Sequence, residues 1–126
     1  MLLDYTERVE RLHQGKNPSK LIKGVANYVQ KHLHEPISIK SLSEAVFMSR
    51  CHLATRFKKE MGTTLTDYIL NAKIDKAKSL LRYTDKPLSS IGGYLGFSSH
   101  SHFSNVFRKI TKESPKEYRN KHNKMV

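Results

Sequence analysis

Apolar residues recur every three or four positions along most of this chain, and that spacing is typical of helices with one buried face. One segment has an apolar residue at every fourth position: Leu21, Val25, Val29 and Leu33. The same spacing returns further along the chain, where Phe103 is followed by Phe107. No segment alternates apolar and polar residues convincingly, as a half-buried strand does. The pattern therefore predicts an all-α fold.

Capping residues and prolines place the ends of about seven predicted helices. Ser19 is a typical N-cap for the first helix, which ends before Pro36 because the residue preceding a proline is disfavoured in a helix. Gly62 suits the C-terminal end of another helix, and the run Ser114-Pro115-Lys116-Glu117 is a capping box with proline in the first turn. The predicted helices cover about 19–33, a segment after Ser38, 50–61, 65–83, 89–95, 100–110 and a short stretch from 115.

A pair of short predicted helices joined by a turn occurs twice. The first pair contains LSEAVFMSRCHLATRFKKEMG (42–62), and the second contains IGGYLGFSSHSHFSNVFRKI (91–110). Leu53 corresponds to Phe103 and Phe57 to Phe107, each pair 50 residues apart. Such a pair forms a helix-turn-helix when the first helix supports the second and the second enters the major groove of DNA. The chain is therefore predicted to hold two such units, joined by a long linker helix.

In each predicted unit, the apolar residues that face the supporting helix leave small, polar or basic residues on the outer face. In the first unit these are Ser49, Arg50, Cys51, Ala54, Thr55 and Lys58. In the second unit they are Ser99, His100, Ser101, His102, Asn105 and Arg108. Arginine can donate to guanine or phosphate, an asparagine amide can pair with adenine, and small apolar groups can pack on a thymine methyl. Ser99 can either bind a phosphate or cap its own helix.

Charge favours a polyanionic partner. The chain has a formal net charge of +12, of which +11 lies on residues 21–126, the part that holds both motifs. An excess of this size suits nucleic acid or an anionic membrane surface. No apolar run approaches the ~18 residues that span a bilayer, and the first residues do not have the pattern of a signal peptide. With Cys51 as the single cysteine, a disulfide within the chain is impossible, so we expect a cytoplasmic protein.

Metal-binding and catalytic patterns are weak. The pairs His32/His34 and His100/His102 are spaced by two, which places their side chains on different sides of a helix. Cys51 has no second cluster at the spacing of zinc ligands. The chain contains no glycine-rich phosphate loop and no Ser/His/Asp arrangement, and its acidic residues are scattered. We therefore predict no enzymatic activity, no metal and no cofactor.

The segment IGGYLGFSSHSHFSNVFRKITKESPKEYR (91–119) resembles the second helix-turn-helix of the AraC/XylS family of bacterial transcription regulators. Residues 42–62 are a weaker match to the first. The resemblance covers about 21–119, and its most specific residues are Gly96-Phe97, Phe103, Phe107, Pro115 and Tyr118-Arg119. It implies that eight positions face bases: Arg50, Cys51, Ala54, Thr55, His100, Ser101, His102 and Asn105. We assign Ser49, Lys58, Ser99 and Arg108 to the DNA backbone.

The resemblance also implies how the protein works. In this family one monomer enters two successive major grooves on one side of the duplex, about 34 Å apart. Most members activate transcription by recruiting RNA polymerase. We therefore expect a sequence-specific activator that binds double-stranded DNA and RNA polymerase, as a monomer or weak dimer, and that does not bind membranes.

Four positions depart from the usual pattern of the family. Phe47 stands where many members have glycine in the first turn. A phenylalanine would be strained if the position needs positive φ, and we expect instead a slightly different turn there. Gly92 replaces a small alanine beneath the recognition helix and, with Gly93, should weaken its helix by roughly 1 kcal/mol per glycine. Lys73 replaces an arginine, which predicts the loss of a bidentate contact. Lys112 replaces a glycine, which predicts a different end to the sixth helix.

The predicted domain organisation has three parts: residues 1–18, a DNA-binding domain over 19–120, and a tail over 121–126. Within the domain we expect helix-turn-helix units at about 39–62 and 88–111, with the linker helix at about 65–83. The first part carries a short heptad stripe: Leu2, Tyr5, Val9 and Leu12. This stripe fits the end of an upstream sensor domain, a dimer seam or a helix packed on the module. The chain is accordingly either a fragment or a stand-alone member.

Two alternative functions fit the same composition. A sequence-neutral basic module would bind DNA or an anionic membrane through surface charge, although membrane binding would require an exposed apolar face on a basic helix. A protein-interaction module is the other alternative. A base-facing substitution that affects all DNA sequences equally would favour the sequence-neutral module.

Overall fold

The computed structural model describes residues 18–123, which form seven helices and no strand within that range. The helices are α1 (Lys20–Lys31), α2 (Ile39–Ala45), α3 (Arg50–Met61), α4 (Leu65–Tyr83), α5 (Leu88–Tyr94), α6 (His100–Thr111) and α7 (Pro115–His122). The predicted all-α fold is confirmed, with α2–α3 and α5–α6 as the two helix pairs and α4 as the long helix between them in the sequence. The predicted N-terminal stripe and the last three residues of the predicted tail lie outside the described range.

Serine side chains begin five of the described helices. They are Ser19, Ser38, Ser49, Ser99 and Ser114, and each hydroxyl accepts a hydrogen bond from the backbone N–H three residues further on. An N-cap of this kind stabilises a helix by about 1 kcal/mol because it satisfies a backbone donor that has no partner within the helix. At α7 the carboxylate of Glu117 also accepts from the N–H of Ser114 at 3.1 Å, which completes the predicted capping box.

The buried face of α1 agrees with the predicted one at Val25 and Val29 and differs from it at both ends. Its buried residues are Ile22, Val25, Ala26 and Val29, whereas Leu21 is only half-buried. The helix ends at Lys31, so Leu33 lies beyond it. A strict four-residue spacing advances about 40° per step around a helix, because a turn contains 3.6 residues. Mixed spacings of three and four follow one face, and this explains why Ile22 replaces Leu21 in the core.

The described residues form two compact units, which are called the first and the second unit. The first includes the helix-turn-helix of α2 and α3, the second includes that of α5 and α6, and α4 contributes to both. The first unit contains 18–32 and 37–72, and the second contains 33–36 and 73–123. In the first unit, Leu53 and Phe57 of α3 are fully buried with Tyr68 of α4. The rings of Phe57 and Tyr68 meet edge to face with their centroids 5.4 Å apart. These contacts hold α3 against the first turns of α4.

A polar cluster in the first unit connects the start of α1 to the end of α3. The N–H of Ser19 donates to Glu60 Oε1 at 2.6 Å, and Arg56 Nε donates to Glu60 Oε2 at 2.8 Å. Arg56 Nη2 also donates to the hydroxyl of Ser19 at 3.1 Å. Partial burial raises the pKa of the Glu60 carboxyl, but hydrogen bonds from Ser19 and Arg56 outweigh that effect and hold the pKa below its usual value.

A row of aromatic rings forms the centre of the second unit. Successive centroids are 5.4 Å apart from Phe97 to Phe103, 5.8 Å from Phe103 to Phe107 and 5.5 Å from Phe107 to Tyr118. Arg119 of α7 donates to the carbonyls of Leu80, Leu81, Thr84 and Lys86. The aromatic row holds α6 against α7, and the arginine fixes α7 against the end of α4.

Candidate nucleic-acid interface

The outer face of α3 holds the residues predicted to contact DNA in the first unit. Full burial of Leu53 and Phe57 fixes the rotation of α3 about its axis. Ser49, Arg50, Cys51, Thr55 and Lys58 are consequently exposed, and Ala54 is half-buried. Thus α3 presents a guanidinium, an ammonium and several small side chains on one side.

The outer face of α6 does the same in the second unit. Phe103 and Phe107 are fully buried, and the predicted residues Ser99, His100, Ser101, His102, Asn105 and Arg108 are all exposed. From 50 to 60 and from 100 to 110, exposed, half-buried and buried residues follow one another in the same order. In each unit, therefore, one helix has an exposed face, and the exposed residues stand at the same positions counted from the start of the helix.

Both helices begin at a serine that serves as an N-cap. Ser49 Oγ accepts from the N–H of His52, and Ser99 Oγ accepts from the N–H of His102, at 3.0 Å in each case. Each hydroxyl keeps its own hydrogen as a donor, so a cap can also donate to a phosphate oxygen. The N-terminus of each helix also carries a partial positive charge, which favours a phosphate nearby.

Neighbouring side chains orient the two histidines of α6. The ring of His102 lies edge-on to Phe97 with a centroid distance of 5.3 Å, and its Nδ1 is 3.4 Å from Ser98 Oγ. Nε2 of His100 is 3.4 Å from Ser104 Oγ. The direction of each histidine hydrogen bond depends on the tautomer. These contacts restrict the orientations that the two rings can take.

His52, which was not among the residues predicted to face bases, belongs to the same exposed surface as they do. His52 is exposed on the first turn of α3 and stands 50 positions before His102, so it occupies the corresponding place. The spacing between the two units was the signal that could have identified it. By contrast, Arg56 is the α3 cation engaged by Glu60, and it belongs to the polar cluster of the first unit.

The predicted change of the first turn, at Phe47, is wrong. Phe47 has φ 57, in the left-handed region, and its side chain is 96% exposed. Its N–H donates to Glu44 O, and the N–H of Met48 donates to Ser43 O at 3.0 Å. These hydrogen bonds close α2 as glycine would close it in a Schellman motif. The side chain meets no steric hindrance from neighbours because it points into solvent, and only the local backbone strain remains.

The predicted change after α6, at Lys112, is wrong for the same reason. Lys112 has φ 69 and donates its N–H to Arg108 O at 2.8 Å. Gly62 ends α3 in the same way, with φ 79 and an N–H to Lys58 O at 2.9 Å. Both helices therefore end in the same left-handed conformation, whether the residue there is glycine or lysine.

The expected loss of a bidentate contact at Lys73 stays a prediction, but this lysine makes three hydrogen bonds of its own. Lys73 is only 4% exposed, and its ammonium donates to the carbonyls of Leu33, Glu35 and Leu95 at 2.7, 2.7 and 2.5 Å. Burial lowers the pKa of Lys73 to about 8, and the charge of Glu35 acts in the opposite direction. This role could not be predicted from the sequence because the three acceptors are backbone carbonyls, which every residue has.

Gly92 packs directly beneath α6. A Cβ at this position would lie 2.8 Å from Cβ of Phe103, so the alanine usual in the family has no room here. Gly93 has open space around its Cα. The glycines thus have different roles: one permits the close approach of two helices, and the other leaves α5 with a lower helix propensity.

Residues 18–123 contain neither a membrane-spanning helix nor a cluster of metal ligands. No helix in that range is long and apolar enough to cross a membrane. The same residues contain no group of three or more histidine, cysteine or acidic side chains that could hold a metal ion.

Known proteins are similar to this chain in sequence and in architecture. A family described as a helix-turn-helix domain matches residues 42–121. A probable transcriptional regulator, LumQ of Photobacterium leiognathi, is 38% identical over 94 residues, which are 75% of this chain and 38% of that protein. The chain therefore spans less than half of that relative.

Solved structures give the same likeness. The C-terminal domain of AraT, a response regulator from Geobacillus stearothermophilus, has a TM-score of 0.82 at 26% identity, over 86% of this chain and 90% of that one. The DNA-binding domain of the global transcriptional factor AdpA, solved in complex with a target DNA, has a TM-score of 0.77 at 26% identity. That match covers 82% of this chain and 93% of the other.

Proposed function

The chain belongs to the AraC/XylS family of DNA-binding transcription regulators, and we propose that α3 and α6 are the two helices with which it reads DNA. The observation that carries this proposal is the common order of exposed and buried residues over 50–60 and 100–110. Each helix has two fully buried apolar residues that hold it in place and a free face of small, polar and basic residues. A face of this composition fits the edges of bases in a major groove.

In the first unit, we propose that Arg50, Cys51, Ala54 and Thr55 face bases and that Ser49 and Lys58 contact the backbone. The guanidinium of Arg50 matches the two acceptors of guanine, and the methyl groups of Ala54 and Thr55 suit a thymine methyl. Lys58, further along α3, supplies charge to a phosphate.

In the second unit, the proposed base-facing residues are His100, Ser101, His102 and Asn105, with Ser99 and Arg108 on the backbone. The carboxamide of Asn105 can donate to N7 of adenine through its amino group and accept from N6 through its oxygen. This side chain is exposed about one turn beyond the histidines of α6.

The wider biological role is part of the same proposal. We propose that the DNA-binding domain extends over 19–120, that it binds as a monomer or weak dimer to two successive major grooves, and that it activates transcription through RNA polymerase. This role is regulatory rather than catalytic, and it places the protein in the cytoplasm with its DNA. The family resemblance supports these points.

Selection from a random duplex library at roughly 150 mM salt tests the proposal, because salt at this level screens most phosphate attraction. We expect an enriched asymmetric site with two boxes about one helical turn apart. A palindrome would favour a dimer. No enrichment, with binding that disappears as salt rises, would favour the sequence-neutral alternative and contradict the proposal.

Asn105→Ala then tests the assignment within the enriched site. We expect a loss of about 1–3 kcal/mol at one base position of the box read by α6, with little change on unrelated duplexes. Asn120→Ala is the matched control, since Asn120 is an exposed asparagine on α7 outside the proposed face. Lys58→Ala should instead weaken binding to all sequences and reduce the salt slope by about 1. Equal losses on all sequences from Asn105→Ala would contradict its role in base reading.

A further inference from the structure

Lys73 is the buried cation of the second unit, and its surroundings are made of backbone carbonyls. Each of the three acceptors, on Leu33, Glu35 and Leu95, lies at a hydrogen-bond distance from Nζ. An ammonium has three N–H donors and no acceptor, so the protonated side chain matches this set of carbonyls in number and in sign. Such hydrogen bonds from a charged donor are stronger than those between neutral groups.

The three carbonyls belong to two different parts of the second unit. Leu33 and Glu35 lie in the segment 33–36, which precedes α2 in the sequence. Leu95 is the C-cap of α5 and the first residue of the turn that leads to α6. Lys73 thus connects the segment 33–36 to the turn of the second helix-turn-helix.

Gly96 makes a second contact between the same two parts. It has φ 78, and a Cβ on it would lie 2.6 Å from the carbonyl carbon and oxygen of Glu35 and 2.8 Å from the nitrogen of Pro36. The turn therefore lies directly against the peptide of Glu35 and Pro36. Lys73 and Gly96 restrict the turn through independent contacts, one by hydrogen bonding and one by close backbone approach.

The restricted turn leads to the proposed DNA-facing residues of α6. Phe97 follows Gly96, donates its N–H to Gly92 O at 2.9 Å and packs its ring against those of His102 and Phe103. A displacement of Leu95 would be passed through Phe97 to the first turn of α6. The angle of that turn decides whether His100, His102 and Asn105 reach base edges.

We propose that Lys73 is a positioning residue for DNA recognition, because its ammonium holds the Leu95 carbonyl and thereby sets the angle at which α6 is presented to the major groove. This inference rests on the proposed DNA-reading role of α6. It predicts that Lys73, on α4, affects recognition of the part of the DNA site that α6 contacts and leaves recognition of the part contacted by α3 unchanged.

The charge of Lys73 is essential to this role. A neutral amine has two N–H donors and a lone pair, so one of the three carbonyls would lose its hydrogen bond and face the lone pair. Burial lowers the pKa of Lys73 to about 8. Glu35 is the charged residue whose electrostatic effect raises that pKa, His34 lies in the same segment, and residues 95–99 of the turn carry no ionisable side chain. Lys73 therefore loses its proton as the pH rises through about 8.

The experiment uses the full chain and duplexes derived from its selected site. One duplex is intact, one has the box for α6 scrambled, and one has the box for α3 scrambled. The measured quantity is the ratio of affinities for intact and scrambled duplexes at constant salt. For Lys73→Met we expect the ratio for the α6 box to fall about tenfold, with the ratio for the α3 box nearly unchanged. Lys73→Arg should restore the first ratio, because a guanidinium also donates to several carbonyls.

A pH series separates positioning from simple support of the fold. Between pH 7 and 9.5 we expect the α6 ratio of the unsubstituted chain to fall as Lys73 loses its proton. Lys73→Arg carries the same histidines on α6 but remains charged at position 73, so its α6 ratio should lack that fall. Use of a ratio for the α6 box cancels effects of Cys51, which lies on α3. Circular dichroism at each pH verifies that the chain stays folded.

The outcomes are distinguishable from failure of the proposed function. If the unsubstituted chain does not discriminate either box, the DNA-reading assignment itself is wrong. If it discriminates both boxes and folded Lys73→Met retains the α6 ratio, the positioning role is wrong. Where Lys73→Met does not fold, the comparison of Lys73→Arg with the unsubstituted chain decides the question, and identical pH profiles would overturn the inference.

Discussion

The turn of the first helix-turn-helix occupies residues 46–49, whereas the turn of the second occupies 95–99 and is one residue longer. Both turns begin in the same way, with a C-cap residue followed by a residue of positive φ, which is Phe47 in one and Gly96 in the other. The residue after each, Met48 or Phe97, donates its N–H to a carbonyl five positions back. The backbone requirement is therefore shared, while the residue that meets it is not.

The difference between Phe47 and Gly96 comes from what surrounds them. The side chain of Phe47 extends into solvent, so the first turn tolerates a bulky residue with only local strain. Gly96 lies against the peptide of Glu35 and Pro36 and has no space for a Cβ. Positive φ alone favours glycine, but close backbone packing makes it obligatory. Two units with the same outer face can therefore have inner constraints of different strength.

Among the substitutions that test this difference between the two turns, Gly96→Ala should change the free energy of unfolding most. The added Cβ would meet backbone atoms at 2.6 Å in a left-handed conformation, so we expect the free energy of unfolding to fall by about 3 kcal/mol or more. Urea denaturation monitored by circular dichroism measures the change.

The matched control for this substitution is Gly93→Ala, three residues earlier in the same unit. Gly93 is inside α5, and a Cβ added to it would have nothing within 4 Å, so the same chemical change should stabilise by about 0.5–1 kcal/mol. Opposite signs for the two variants would establish that packing at Gly96 causes the loss. A loss below about 1 kcal/mol for Gly96→Ala would mean that the segment 33–36 moves aside easily.

The sequence was sufficient for the helices and for the free faces of α3 and α6, because both depend on local spacing and on capping residues. Ser49 and Ser99 define where the helices begin, and the apolar residues three and seven positions after Arg50 and His100 define which side is buried. Phe47 could be recognised as a departure from the family, but its conformation could not be decided, since the cost of positive φ depends on the space around it.

Contacts made by backbone carbonyls were not predictable from the sequence. Lys73 and Arg119 together hold carbonyls from three stretches of the chain, 33–35, 80–86 and residue 95, and no side-chain pattern marks those acceptors. The burial of Ile22 in place of Leu21 has a simpler origin, because neighbouring apolar residues in a helix leave the rotation of its face undecided by one position.

The polar cluster of Ser19, Arg56 and Glu60 in the first unit should make a smaller contribution to stability, and that contribution should depend on pH. The folded-state pKa of Glu60 is lowered, so its carboxylate contributes stability that is fully present above its unfolded pKa and is lost as the pH falls through the folded value. Glu60→Gln removes the charge that accepts from Ser19 and Arg56, and should reduce the free energy of unfolding at pH 7 by about 1–2 kcal/mol. The reduction should shrink as the pH approaches 3.

Thermal or urea unfolding of the two chains between pH 3 and pH 7 measures this difference. Asp85→Asn is the control, since Asp85 is an exposed carboxylate in the second unit. We expect its stability difference from the unsubstituted chain to be small, because the side chain is exposed. A Glu60→Gln difference that does not change with pH would show that the cluster holds α1 and α3 together without help from the charge.

The smallest expected effect concerns Phe47 and has the opposite sign. Phe47→Gly relieves the strain of a left-handed phenylalanine, about 1–2 kcal/mol, but increases the freedom of the unfolded chain by about 0.5–1 kcal/mol. Since the exposed ring contributes little packing, we expect a net stabilisation of about 0.5–1 kcal/mol. Lys112→Gly should behave similarly at the end of α6, because Lys112 has the same backbone conformation and an exposed side chain.

Both glycine variants should leave the DNA affinity unchanged if these side chains serve only to end a helix. A more stable Phe47→Gly chain that binds its selected duplex more weakly would mean that the exposed ring contacts the DNA beside the start of α3. A less stable chain would mean that the ring is packed in solution. Either result would mean that the first turn is constrained by a contact of the Phe47 side chain. The two turns would then differ in the kind of contact that constrains them, a side-chain contact at Phe47 and a backbone contact at Gly96.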